Sequence, residues 1–147
     1  MLGRNIEWWE ILTACLRMGA VCSPGTTQLS PKDIGYRIEA ANAVCFITDA
    51  ANAPKLEATP AAAKLKGRVI VGADRDGWTG YDAAIDAADD NFTTVDTHGD
   101  DDALCYFTSG TTGYPKMAIQ PHSYGLAHEI TGRYWLDLTP DDLHWNI

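Results

Sequence analysis

The stretch that most limits what this chain can fold into is Tyr106-Phe107-Thr108-Ser109-Gly110-Thr111-Thr112-Gly113-Tyr114-Pro115-Lys116. It is dense in hydroxyls and glycines and closes on a lysine. The run before it, Ala103-Leu104-Cys105-Tyr106-Phe107, is apolar and aromatic, as a strand should be. The run after it, Lys116-Met117-Ala118-Ile119, is short enough for a second strand. A loop of this composition between two strands suits an anion. Gly110 and Gly113 can take positive φ and bring backbone N–H groups close to a ligand, and successive N–H groups in such turns form a concave nest. Ser109, Thr111 and Thr112 add hydroxyl donors, and Lys116 adds a compact positive charge. Pro115 fixes the backbone just ahead of that lysine.

With 147 residues, 46% hydrophobic and 21% charged, the chain is long and apolar enough for one domain with a core. Lys and Arg number 11 against 20 Asp and Glu, a formal net charge of −9. That argues against general nucleic-acid binding, which needs a basic face; a nucleotide needs only a local positive site. Cys15, Cys22, Cys45 and Cys105 are scattered with no Cys-x-x-Cys pair, so no zinc site is expected. Three of them lie in apolar runs and are expected as buried thiols in a reducing compartment. No apolar run is long enough to span a bilayer, and no secretion signal is evident.

Along the chain, Asn5 is placed to cap a helix running to about Met18. Ile6, Trp9, Leu12 and Leu16 stripe it, and Trp8, Ile11 and Cys15 widen the stripe. A helix this apolar is expected to be largely buried, with Trp8 and Trp9 in the core. Ala20-Val21-Cys22 reads as a short extended piece before a turn at Pro24-Gly25. Ser30-Pro31-Lys32-Asp33 carries a capping box and starts a helix lined by Ile34, Ile38 and Ala41. Strands are expected over Val44–Thr48 and Arg68–Val71. A poorer helical stretch broken by Pro54 and Pro60 lies between them. Gly72 to Gly80 reads as a polar turn region and Tyr81 to Ala88 as a short helix. The acidic run Asp100-Asp101-Asp102 reads as a solvated turn. Ser123 caps a last helix bearing Leu126, Ile130 and Tyr134. Helices alternating with short apolar strands predict an α/β layer, a mixed and largely parallel sheet with flanking helices. Arg37 and Arg133 are expected in ion pairs, and Tyr134 and Trp135 in the core.

The phosphate loop of the large NTPase class needs G-x-x-x-x-G-K-[ST]. Here Tyr114 and Pro115 separate Gly113 from Lys116, and Met117 follows the lysine, so that class is rejected. The dinucleotide fingerprint is absent as well. From composition alone, a plain Gly/Thr-rich turn without a ligand remains an even alternative.

Thr108 to Lys116 resembles the phosphate-binding signature of the AMP-forming adenylating enzymes: acyl-CoA synthetases, luciferase-type enzymes and peptide-synthetase adenylation domains. The flanks narrow the resemblance. Trp8-Trp9-Glu10, Leu16-Arg17-Met18-Gly19-Ala20-Val21, Pro24-Gly25-Thr26-Thr27-Gln28-Leu29 and Asp33-Ile34-Gly35-Tyr36-Arg37 are similar to segments of medium-chain acyl-CoA synthetases. Lys116-Met117-Ala118 also fits that branch. The resemblance covers nearly the whole chain and implies a fold that is part of the large N-terminal domain, with residues 1–147 as a partial AMP-binding domain.

It also implies a chemistry. A carboxylic acid, for this branch a medium-chain fatty acid, attacks the α-phosphorus of ATP. Pyrophosphate leaves, Mg²⁺ assists, and coenzyme A takes the acyl group from the adenylate. Thr108, Ser109, Gly110, Thr111, Thr112, Gly113, Tyr114, Pro115 and Lys116 are the implied phosphate-binding residues, with Lys116 stabilising charge. His122 and His128 follow the cradle, where some relatives place a histidine near the acyl site; surface or capping roles are expected for both, and His98 and His144 are isolated. The resemblance further implies an adenine-binding segment, a magnesium-holding acidic residue, a ribose-binding aspartate, a hinge and a small C-terminal domain, none of which is matched here. The chain is therefore expected to be an internal piece of a synthetase, inactive alone, with Trp145-Asn146-Ile147 lying just before the next motif. Unpaired strand edges and uncovered apolar faces are expected to make it marginal and aggregation-prone, without a sharp cooperative thermal transition. A non-catalytic phosphate-binding chain and an aryl- or amino-acid-activating relative are the alternative readings. The cytoplasm is the expected compartment, with the mitochondrial matrix as the other choice.

Overall fold

A computed structural model describes residues 1–109 and 113–144. The first helix, α1, spans Ile6–Arg17. It ends where Gly19 adopts φ +67° and the N–H groups of Gly19 and Ala20 bond back to the carbonyls of Leu16 and Cys15. This left-handed cap satisfies carbonyls that the last turn would leave unpaired. The second helix, α2 (Pro31–Ala40), starts on the capping box read from the sequence: Ser30 accepts from the Asp33 N–H and Asp33 accepts from the Ser30 N–H. It ends as α1 does, with Asn42 at φ +49° in glycine's place.

Strand β1 (Cys45–Asp49) lies parallel to β2 (Gly67–Val71), which in turn pairs with a two-residue β3, Thr79–Gly80. Between β1 and β2 the chain forms α3 (Ala53–Glu57) and a 3₁₀ turn, Pro60–Lys64. Pro54 and Pro60 sit in the first turn of each, where the missing N–H costs nothing, so they open two short helices and do not break one. A short helix α4, Tyr81–Asp86, follows β3. The core forms here. Ile34 and Ile38 of α2 pack on Leu56, Ala61 and Ala62. Gly35 permits the close approach, since a side chain there would run into the Thr59 hydroxyl.

The rest is a second layer. Strands β4 (Asp102–Thr108) and β5 (Lys116–Pro121) form an antiparallel hairpin, and α5 (Tyr124–Tyr134) follows. Cys22 joins β4 as a one-residue parallel bridge: its N–H bonds to the Ala103 carbonyl, and its own carbonyl accepts from Cys105. The architecture is thus mixed α/β, a three-stranded parallel sheet with flanking helices plus a two-stranded hairpin.

Several expectations need correction. No residue of α1 is buried, and Trp9 is 66% exposed while Trp8 is half-buried against it. The described residues pack little over that face, so apolarity alone did not bury the helix. Asn5 stands at the N-cap without a side-chain hydrogen bond, and so does Ser123. Tyr134 and Trp135 are exposed, not core. Only Cys105 of the four thiols is buried; Cys15 and Cys22 are half-buried and Cys45 is exposed. Thr79–Gly80 is a strand where a turn was expected, because the parallel edge of β2 supplies partners to a segment with no strand-like pattern of its own.

Candidate functional site

The strand–loop–strand setting expected for the hydroxyl-rich stretch is present. Register places Thr108 directly opposite Lys116, and Phe107 opposite Met117. The first and last members of the predicted cradle are therefore cross-strand partners. Opposed side chains in an antiparallel pair share a face, and successive ones alternate. Thr108 and Lys116 thus lie on one face of the hairpin. Ala103, Cys105 and Phe107 lie on the other, and Ala103 and Cys105 are buried there.

Lys116 and Ser109 are exposed, and Lys116 forms no ion pair among the described residues. The Thr108 hydroxyl makes one long contact, 3.4 Å, to the Lys116 carbonyl. Gly113 sits at φ +124°, a conformation side chains rarely adopt, with open space where a Cβ would stand. The described part of the stretch thus presents exposed hydroxyls, a glycine in a glycine-only conformation and an ammonium with no ion pair among the described residues. Gly110, Thr111 and Thr112 lie outside the described residues.

Tyr36, in the second turn of α2, was not singled out as a site residue. Its hydroxyl donates to the Pro115 carbonyl at 2.9 Å. Its ring stacks on Tyr114 at 4.8 Å and meets Phe107 edge-on at 6.1 Å. The neighbouring Arg37 makes no ion pair among the described residues. Its guanidinium lies 4.6 Å from the Phe107 ring centre, and its Nε is buried without a partner. Arg133 likewise lies over Tyr134. Both arginines found aromatic faces in place of carboxylates. No sequence spacing links α2 to the loop, so only the fold could reveal Tyr36.

His122 is half-buried with an unpartnered Nε2, and exposed His128 meets Tyr124 edge-on. Neither touches the loop's described residues through a hydrogen bond. Two shallow concavities lie elsewhere. One, about 400 Å³, is lined by Asp74, Asp82 and Asp86 beside α4; the other, about 320 Å³, lies between Ile11 and Tyr81. No cluster of three acidic, histidine or cysteine side chains suited to a metal occurs among the described residues. No helix among them is long and apolar enough to cross a membrane.

The model of the AMP-binding enzyme family matches residues 1–146. The chain belongs to this family. It is 44% identical to the mitochondrial acyl-coenzyme A synthetase ACSM3 of Pongo abelii, over 99% of this chain and 25% of that protein. To mitochondrial acyl-coenzyme A synthetase ACSM4 of Rattus norvegicus it is 41% identical, over 100% of this chain and 26% of that protein. The crystal structure of the Brucella canis acyl-CoA synthetase superposes with a TM-score of 0.90 at 28% identity, covering 99% of this chain and 27% of that one. This AMP-binding family member therefore spans about a quarter of the length of the relatives it matches.

Proposed function

We propose that this chain is part of the N-terminal domain of an AMP-forming acid–thiol ligase, and that residues 108–116 hold the phosphates of ATP in it. The observation that carries the reading is the hairpin itself. It puts Thr108 and Lys116 face to face at the mouth of a loop whose Gly113 takes a glycine conformation. The substrates are ATP, coenzyme A and a carboxylic acid, of medium-chain fatty type by the relatives' class. The relatives named mitochondrial favour the matrix over the cytoplasm.

The residues' role follows from where charge develops. As a carboxylate oxygen bonds to the α-phosphorus, the bond to the β-phosphate oxygen breaks and negative charge gathers on departing pyrophosphate. Preorganised N–H groups, hydroxyls and an ammonium lower that barrier electrostatically. Lys116, opposite Thr108, supplies the ammonium. Mg²⁺ would add charge neutralisation when bound, but the described residues offer no cluster of three acidic, histidine or cysteine side chains to hold it.

The test is exchange of labelled pyrophosphate into ATP by the enzyme at its natural length, with medium-chain acids present. Lys116→Ala should slow exchange by about 10²–10³-fold, the cost of losing one such electrostatic contact. Unchanged exchange would end the role given to Lys116. A second reading is a chain that binds phosphate without catalysis. Residues 1–147 alone should then bind Mg-ATP weakly, as a calorimetric titration would read, because few apolar contacts supplement the phosphate grip.

A further inference from the structure

We propose that Tyr36 is the positioning residue of the loop: a clamp from the core that sets the arm from which Lys116 presents its ammonium to an oligophosphate. The inference rests on the phosphate-cradle reading above. Three observations carry it. First, α2 is firmly seated, with a capping box at its start and Ile34 and Ile38 buried in the core. Second, Tyr36 reaches from it to three residues of the hairpin end at once. Phe107 stands before the loop, and Tyr114 and Pro115 stand after it. Third, two of the clamped residues, Tyr114 and Pro115, lie between Gly113, with its φ of +124°, and Lys116. A glycine in that region is a pivot with few steric limits, so the arm after it needs an outside hold.

The hold is geometrically specific. The phenol bonds the Pro115 carbonyl, whose oxygen lies in the plane of the peptide leading into Lys116. Pro115 already has a fixed φ, so one further bond leaves that peptide little freedom. The stack on Tyr114, at an interplanar angle of 24°, fixes the residue before it. Phe107 faces the body, whereas Thr108 and Lys116 face away from it. Tyr36 therefore grips the hairpin from the side opposite the anion and never competes with it.

The test compares the full chain with Tyr36→Phe, which keeps the ring and loses the hydroxyl, and Tyr36→Leu, which loses both. Inorganic tripolyphosphate is the probe. Calorimetry reads its affinity, and hydrogen exchange reads residues 113–117 separately from α2. Tyr36→Phe should weaken tripolyphosphate binding about three- to tenfold, the scale of one hydrogen bond. Tyr36→Leu should weaken it further and speed exchange at residues 113–117, leaving α2 and β1 protected. Equal affinity and equal exchange in all three proteins would overturn the clamp and leave the cradle standing. Loss of α2 protection in Tyr36→Leu with a wild-type Tyr36→Phe would make Tyr36 a packing residue only. A wild-type chain that does not bind tripolyphosphate would remove the cradle, and the clamp's purpose with it.

Discussion

The two layers of this molecule bury their apolar residues very differently. In the body, α2, β1, α3 and β2 enclose Ile34, Leu56, Ile70 and Thr48 almost completely. In the hairpin layer, α5 exposes Leu126, Ile130 and Tyr134 along one stripe, Trp135 beyond it is 83% exposed, and Met117 and Ile119 on β5 are exposed as well. Sequence distance explains the contrast. The body's partners lie within a few dozen residues of one another and meet through short parallel crossovers. The hairpin is satisfied by its own backbone pairing, which needs no apolar cover. Backbone hydrogen bonds can thus form a hairpin on a layer that little apolar burial supports. Tyr36 and Arg37 of α2 hold that layer to the body, and Cys22 and Ser23 add hydrogen bonds to β4.

The largest expected effect belongs to the body. Leu56 is fully buried and packs within the cluster of Ile34, Ile38, Ala61 and Ala62. Leu56→Ala should cost about 2–5 kcal/mol, the transfer term plus the cavity it leaves. Denaturant titration followed by far-ultraviolet dichroism would measure it. A loss under about 1 kcal/mol would mean the body is not the rigid half, and the contrast would fail.

That contrast also marks what could be read from the sequence. Local signals were legible because their physics is local. Ser30 and Asp33 announce a helix start whatever surrounds them, and the strands on either side of the hydroxyl-rich loop follow from two apolar runs. Three things were not legible, each depending on a distant partner. Thr79–Gly80 is a strand only because β2 has an edge to offer. Arg37 reads as half of an ion pair until Phe107 arrives beneath it. Trp9 looks like core until one asks what covers α1. Tyr36 combines these lessons, since neither its helix nor the loop predicts that they meet.

A middle-sized effect should come from the capping box. Ser30→Ala removes the acceptor for the Asp33 N–H and should cost about 1 kcal/mol. It should also change the pH profile. Hydrogen bonds from the Ser30 hydroxyl and N–H hold the Asp33 carboxyl below its usual range. A depressed folded value means the cap's contribution is fully present above the unfolded pKa of ~3.9 and is lost as pH falls through the folded value. Thermal unfolding between pH 5 and 2 should therefore show a steeper acid loss in the wild type than in Ser30→Ala. Parallel profiles would show that the cap, though formed, does not couple to the body's stability.

The smallest expected effect is the sharpest probe of the exposed layer. Ile130 is 64% exposed on α5, so Ile130→Ala removes little burial, and alanine is the better helix former by a few tenths of a kcal/mol. The change should stay within about 0.5 kcal/mol, the range of surface substitutions. A cost of several times that would mean the stripe is covered in solution. Concentration then decides by what. A cost that grows with protein concentration points to a second copy seated on Leu126, Ile130 and Tyr134, because association stabilises by mass action. A large cost independent of concentration points to cover from the chain itself. Either result would move α5 into the buried class and leave the hairpin as the lightly supported part of that layer.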